Sequence, residues 1–203
     1  MPRASPIKVK ARIHLALRQR KVISEPMRKL DRSVVLIGMM GSGKSAVGRR
    51  LATALGMAFR DADTEIEAAA GCSVNEIFAR YGESAFRDGE RKVVLRLLEG
   101  PPLVLATGGG AFIDVETRAR IKTKAISIWL KADRDLLTER VSRRQTRPLL
   151  NNGNPREVLE KLMRERAPIY SQADIMIESD DGPHETIVKR IMTALELRAN
   201  KAS

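Results

Sequence analysis

The run Gly38-Met39-Met40-Gly41-Ser42-Gly43-Lys44-Ser45 constrains this chain more than any other. It follows the apolar stretch Val34-Val35-Leu36-Ile37. It leads into a segment with Val47, Leu51 and Leu55 at helical spacing. Strand, glycine loop, Lys-Ser and helix in that order form a P-loop. Glycines at 38, 41 and 43 allow turns that bring successive backbone N–H groups onto one phosphate. The helix start adds its dipole and its unpaired N–H groups. Lys44 is placed to reach the β- and γ-phosphates, and the Ser45 hydroxyl to join a Mg2+ shell. The motif therefore asks for a nucleoside triphosphate with Mg2+ and is silent about what receives the phosphate.

From Ser33 onward, short apolar runs alternate with helical ones. Strands are expected at Val34–Ile37, Met57–Arg60, Leu103–Ala106, Ala125–Leu130 and Ile175–Ile177. Helices are expected at Lys44–Leu55, Thr64–Ala70, Val74–Tyr81, Ser84–Glu99, Asp114–Lys122, Asp133–Arg143, Pro155–Tyr170 and His184–Arg198. Such alternation predicts an α/β fold with a five-stranded parallel sheet and helices on both faces. The 203 residues suit one domain, 33–203, preceded by a basic extension, 1–32. With only seven aromatic residues, its core must rest on Leu, Ile, Val, Ala and Met. Segment 143–154 is polar, basic and rich in breakers, and it reads as a mobile lid.

The net charge of +12 invites a nucleic-acid reading, but its distribution weakens it. Residues 1–32 carry ten Lys/Arg and two acids; the remaining 171 residues are close to balanced. The core has no aromatic stacking platform. The extension is too polar for a signal peptide or a membrane span, and it has few of the serines of a transit peptide. A poorly ordered extension is expected, and Met27 offers an alternative start just before the core. The one cysteine, Cys72, rules out an intramolecular disulfide and suits a reducing compartment, so a cytoplasmic protein is expected. No heptad is present, so a monomer is expected; from the charge distribution and the lack of a long apolar run, neither nucleic-acid nor membrane partners are expected.

Ligands of parallel sheets bind beyond the carboxyl ends of the strands. The P-loop, Asp61-Ala62-Asp63 and Gly108-Gly109-Gly110 all begin at such ends, so they should share one crevice. One carboxylate of Asp-x-Asp can hold the water shell of the metal and the other can accept or orient a hydroxyl proton; capping of the next helix by Asp63 is the alternative. Three consecutive glycines allow a ligand to approach the backbone closely. Arg87, Arg140 and Arg166 lie in helical segments, where an arginine is ordinarily solvated.

Taken in order, these motifs resemble one family, the shikimate kinases. The P-loop at 38–45, Asp61-x-Asp63, Phe86-Arg87-x-x-Glu90, the triple glycine, Arg147-Pro148-Leu149-Leu150 and Glu165-Arg166-x-x-x-Tyr170 span most of residues 33–178 in the family's sequence order. The resemblance implies a three-layer α/β/α P-loop kinase fold. It implies an ATP-dependent phosphotransferase that converts shikimate and ATP to shikimate 3-phosphate and ADP, with Mg2+. It implies ATP binding by Gly41, Ser42, Gly43, Lys44, Ser45, Ala46, Arg140 and Arg147, with Ser45 and, through water, Asp61 on the metal. It implies shikimate binding by Asp63, Arg87, Gly108, Gly109, Gly110 and Arg166, and catalysis by Lys44, Asp63 and Arg147. The chemistry agrees: a carboxylate suits the planar fork of Arg87 or Arg166, and hydroxyls suit Asp63 and backbone donors. Phe78 and Phe86 either wall the substrate ring or pack the core. Rival readings are a gluconate or nucleoside monophosphate kinase, or a GTPase. The latter lacks an Asn-Lys-x-Asp run.

Overall fold

The computed structural model describes residues 30–142 and 154–202. Five strands form one parallel sheet among these residues: β1 (Ser33–Ile37), β2 (Ala58–Asp61), β3 (Leu103–Ala106), β4 (Ala125–Ala132) and β5 (Ile175–Ser179), ordered β2-β3-β1-β4-β5. The helices are α1 (Lys44–Leu55), α2 (Ala62–Ala70), α3 (Val74–Leu98), α4 (Val115–Lys124), α5 (Arg134–Ser142), α6 (Pro155–Tyr170) and α7 (His184–Ala202).

The central strands β1 and β3 are buried along their whole length, because both faces of the sheet are covered. Alternate side chains of β1 serve opposite layers. Val34 and Leu36 pack with Val47 and Leu51 of α1 and with Ile187, Ile191 and Leu195 of α7. Val35 and Ile37 pack in the other layer with Val94 of α3, Ile121 of α4, Leu137 of α5 and Leu159 of α6. A smaller cluster of Ile66, Ile77, Phe86 and Val93 joins α2 to α3. Phe86 belongs to this cluster, and Phe78 packs against it with the two ring centroids 4.7 Å apart. Trp129 lies in the core, as its strand position predicts.

The two helical runs expected at 74–81 and 84–99 are both present in α3, with Gly82 (φ 78°, ψ 176°) breaking the helical backbone between them. Two details differ from the sequence expectation. The second strand is shifted by one residue, so Asp61 ends the strand and caps α2, accepting from the Asp63 N–H. Asp63, for which capping was the alternative reading, lies within the first turn of the helix. Residues 30–32, at the end of the expected extension, are tied to the domain. Leu30 packs on the α1–α7 layer, and Arg32 donates to the carbonyls of Lys122 and Ala125 at the end of α4. Residues 1–29 and most of the expected lid, including Arg147, lie outside the described residues.

Candidate active site

The phosphate end of the site is a helix start left open. α2, α3, α4 and α6 are each capped by a side chain: Asp61, Ser73, Asp114 and Asn154. α1 is preceded by Gly43 in a left-handed conformation (φ 87°) with no side-chain cap, so its first N–H groups remain for an anion. Gly38 enables the loop in a second way: a Cβ there would fall 2.6 Å from the Leu130 carbonyl of β4. The loop can pass this close to the sheet only without a side chain.

Lys44 folds over the loop, donating from Nζ to the carbonyls of Gly38 (2.9 Å) and Met39 (2.8 Å). The Ser45 hydroxyl donates to Asp61 Oδ2 at 2.5 Å, while Asp61 Oδ1 accepts from the Asp63 N–H at 3.1 Å. One carboxylate thus holds both the metal-type hydroxyl and the start of α2. Arg140 reaches across from α5 to the Gly41 carbonyl (3.4 Å) and to the carbonyl of Asp180 (3.0 Å). Ser42 is fully buried behind the loop; its N–H donates to Met39 and its carbonyl accepts from Ser179.

A cleft of about 480 Å3 opens over this loop. Its walls bring together Gly41, Gly43, Lys44, Ser45 and Ala46 with Asp61, Asp63, Gly108, Gly109 and Arg140. The wall also contains Thr107, Arg49 and His184, which the sequence reading passes over. Thr107 was accessible to the strand-end rule, since it directly follows β3. His184 was not, because it starts a helix remote in sequence.

The triple glycine sorts the acceptor-side groups. A Cβ on Gly108 would overlap Glu90 Oε1 and lie 3.2 Å from Asp63 Oδ1. One on Gly109 would lie 3.1 Å from Arg166 Nη1, and one on Gly110 would lie 2.5 Å from Arg87 Cζ. Glycine here is a matter of room: each of the three backbones carries a charged side chain against it. Arg87, Gly110 and Arg166 do not wall the cleft themselves; Arg166 lies against Gly109, which does, and Arg87 lies against Gly110.

Arg87 is held by Glu83 (3.1 Å) and Glu90 (2.7 Å). Burial opposes its charge, but Glu90 and Glu83 together outweigh this and keep the guanidinium above its ordinary pKa. Glu90 is 2% exposed; burial pushes its carboxyl up, against the pull of Arg87. Its Oε1, like Nη1 of the buried Arg166, has no hydrogen-bond partner among the described residues. Glu90 was visible only as a motif letter, because a helical Glu gives no sign of burial. A Gly110→Ala substitution is expected to destabilise the fold by about 1–3 kcal/mol, since Arg87 is pinned by two carboxylates and cannot yield to a methyl group. Thermal unfolding measures it.

A phosphate-ready helix start thus shares one cleft with a carboxylate pair and a glycine backbone packed against a buried and a part-buried guanidinium group. The family model described as shikimate kinase matches residues 40–196. The shikimate kinase of Paramagnetospirillum magneticum is 56% identical over 167 residues, which are 82% of this chain and 86% of that protein. That of Caulobacter vibrioides is 55% identical over 175 residues, 86% of this chain and 88% of its own. A solved shikimate kinase from Acinetobacter baumannii, in complex with shikimate, superposes with a TM-score of 0.81 at 36% identity, covering 86% of this chain and 97% of that one. Motif order, site geometry and kinship agree, and the chain belongs to the shikimate kinase family.

Proposed function

We propose that this chain transfers the γ-phosphoryl group of ATP to the 3-hydroxyl of shikimate, giving shikimate 3-phosphate and ADP. The observation that carries the acceptor is Arg166. It is a buried guanidinium with an unpartnered Nη1, against Gly109 and next to the cleft that the P-loop lines. A buried donor of this kind is costly unless a carboxylate meets it. Shikimate brings one carboxylate and three hydroxyls, which matches two guanidinium groups, one carboxylate and glycine N–H donors.

The nucleotide phosphates lie on the N–H groups at the start of α1, with Lys44 turned from its loop carbonyls toward the β- and γ-phosphates. Arg140 lies at the side of the cleft, where it borders the base. Among the described residues no cluster of three metal-binding side chains exists. Ser45 and Asp61 nevertheless fit Mg2+, since both offer hard oxygen atoms at the phosphate end. Bound there with the nucleotide, Mg2+ would neutralise charge that builds on the phosphate oxygens. Arg87 and Arg166 fix the substrate carboxylate, and Asp63 orients the 3-hydroxyl and accepts its proton. Arg147 of the expected lid adds charge at the transferring group when the lid closes and excludes water.

A coupled assay of ADP release with ATP and shikimate tests the reaction, with gluconate and AMP as rival acceptors. Shikimate-dependent turnover is expected; turnover with gluconate or AMP instead rejects the assignment. Arg87→Lys keeps a charge for Glu90 but loses the planar fork. It is expected to raise the KM for shikimate by on the order of tenfold to a hundredfold. An unchanged KM removes Arg87 from substrate binding.

A further inference from the structure

Tyr170, the last residue of α6, has no part in the mechanism above. It is 1% exposed, and its ring packs on Trp129 with centroids 5.8 Å apart. A phenylalanine would fill that space equally well. The hydroxyl, however, donates to the carbonyl of Gly109, in the middle of the triple glycine. It is also close to Arg166, whose charge and hydrogen bond act on it against the upward push of burial on its pKa. Residues 166 and 170 are one helical turn apart on the same face.

We infer that Tyr170 is a positioning residue for the acceptor half of the site, acting through the Gly109–Gly110 peptide and the Arg166 guanidinium. The inference rests on the reading of shikimate as acceptor. The geometric argument starts from the peptide plane. In a planar trans peptide the carbonyl of one residue and the N–H of the next point in opposite directions. Anchoring the Gly109 carbonyl to Tyr170 therefore turns the Gly110 N–H away from Tyr170. Among the described residues neither the Gly109 nor the Gly110 N–H donates to another backbone group, so both remain for a ligand. A glycine peptide has the widest conformational choice of any, so a fixed donor direction here needs an external anchor. The Tyr170 hydroxyl supplies it, on a buried ring packed against Trp129.

The same hydroxyl limits Arg166. A long guanidinium side chain retains considerable rotamer freedom. Tyr170 on one side and Gly109, whose Cβ position lies 3.1 Å from Nη1, on the other restrict the positions the guanidinium can take. The Gly109 backbone also meets the P-loop: its Cβ position lies 3.5 Å from the Gly38 carbonyl, which accepts from Lys44. Losing the anchor should loosen shikimate binding first and leave the nucleotide half largely intact.

Tyr170→Phe tests this in the full-length chain. The expected result is a KM for shikimate raised about tenfold, a KM for ATP within about twofold of the parent, and a melting temperature lowered by only a few degrees. A merely structural hydroxyl predicts the reverse, with thermal stability lost and the shikimate KM unchanged; that outcome overturns the inference. A double-mutant cycle with Arg166→Lys supplies the second measurement. Tyr170 acting through Arg166 predicts a combined rise in shikimate KM smaller than the product of the two single rises, and independent multiplication rejects that route. Trp129→Phe is the packing control, expected to lower stability without the shikimate-specific rise. If the parent protein does not turn over shikimate, the acceptor assignment itself fails, which these variants do not touch.

Discussion

Lys44→Ala lowers kcat by about a thousandfold and leaves the fold intact. The magnitude is that of removing one charged donor from a water-excluded site where negative charge must be spread over a transferring phosphoryl group. Lys44 contributes to the loop through hydrogen bonds to the Gly38 and Met39 carbonyls, whose loss costs about 1–3 kcal/mol each and does not unfold the domain. The loop itself is held by other means. The Ser42 N–H bonds to Met39, Ser179 bonds to Ser42, and the Gly38 backbone lies close against β4. Stopped assays at saturating shikimate give the kcat loss, and thermal unfolding gives the stability comparison. Turnover near that of the parent would remove Lys44 from the chemistry. A collapse in melting temperature would show that its bonds to the loop carbonyls matter more than its charge at the phosphate.

The parts of the site legible in the sequence are those whose chemistry depends on local spacing. Gly38, Gly41 and Gly43 each announce a backbone conformation, and all three adopt positive φ. The strand-end rule brought Asp61, Asp63 and Gly108 to one cleft before any contact was known, because parallel strands leave their carboxyl ends on one side. What stayed hidden depends on burial and on contacts between distant elements. Glu90 and Asp88 are equally plausible helical acids in sequence, yet one is 2% exposed and the other lies at the surface. Tyr170 reads as the end of an amphipathic helix until Gly109, 61 residues away, accepts its hydroxyl. The division of labour in Asp-x-Asp also needed the fold. A strand one residue longer at its end makes Asp61 the cap of α2, and this joins the hydroxyl of Ser45 to the segment that presents Asp63.

Asp63→Asn is the sharper test of that division. Asparagine keeps the shape of the side chain and its place in the first turn of α2, but it removes the negative charge and the proton acceptor. If Asp63 takes the proton of the attacking hydroxyl, kcat falls by about a hundredfold to ten-thousandfold, the usual range for a positioned general base. ATP affinity stays within about twofold, because the proposed nucleotide end rests on the start of α1, Ser45 and Asp61 rather than on Asp63. A second consequence follows from the neighbour. Asp63 is one of the charges that push the buried Glu90 carboxyl upward, after burial itself. Removing it lowers the Glu90 pKa and strengthens the Glu90–Arg87 pair, so the binding half of the acceptor site survives a loss confined to chemistry. Isothermal titration with shikimate, beside steady-state turnover, separates the two effects. Near-normal shikimate binding with kcat reduced by at least about a hundredfold supports Asp63 as the base. Loss of ATP binding would instead place Asp63 on the metal, and Asp61 would then be the residue to examine as acceptor.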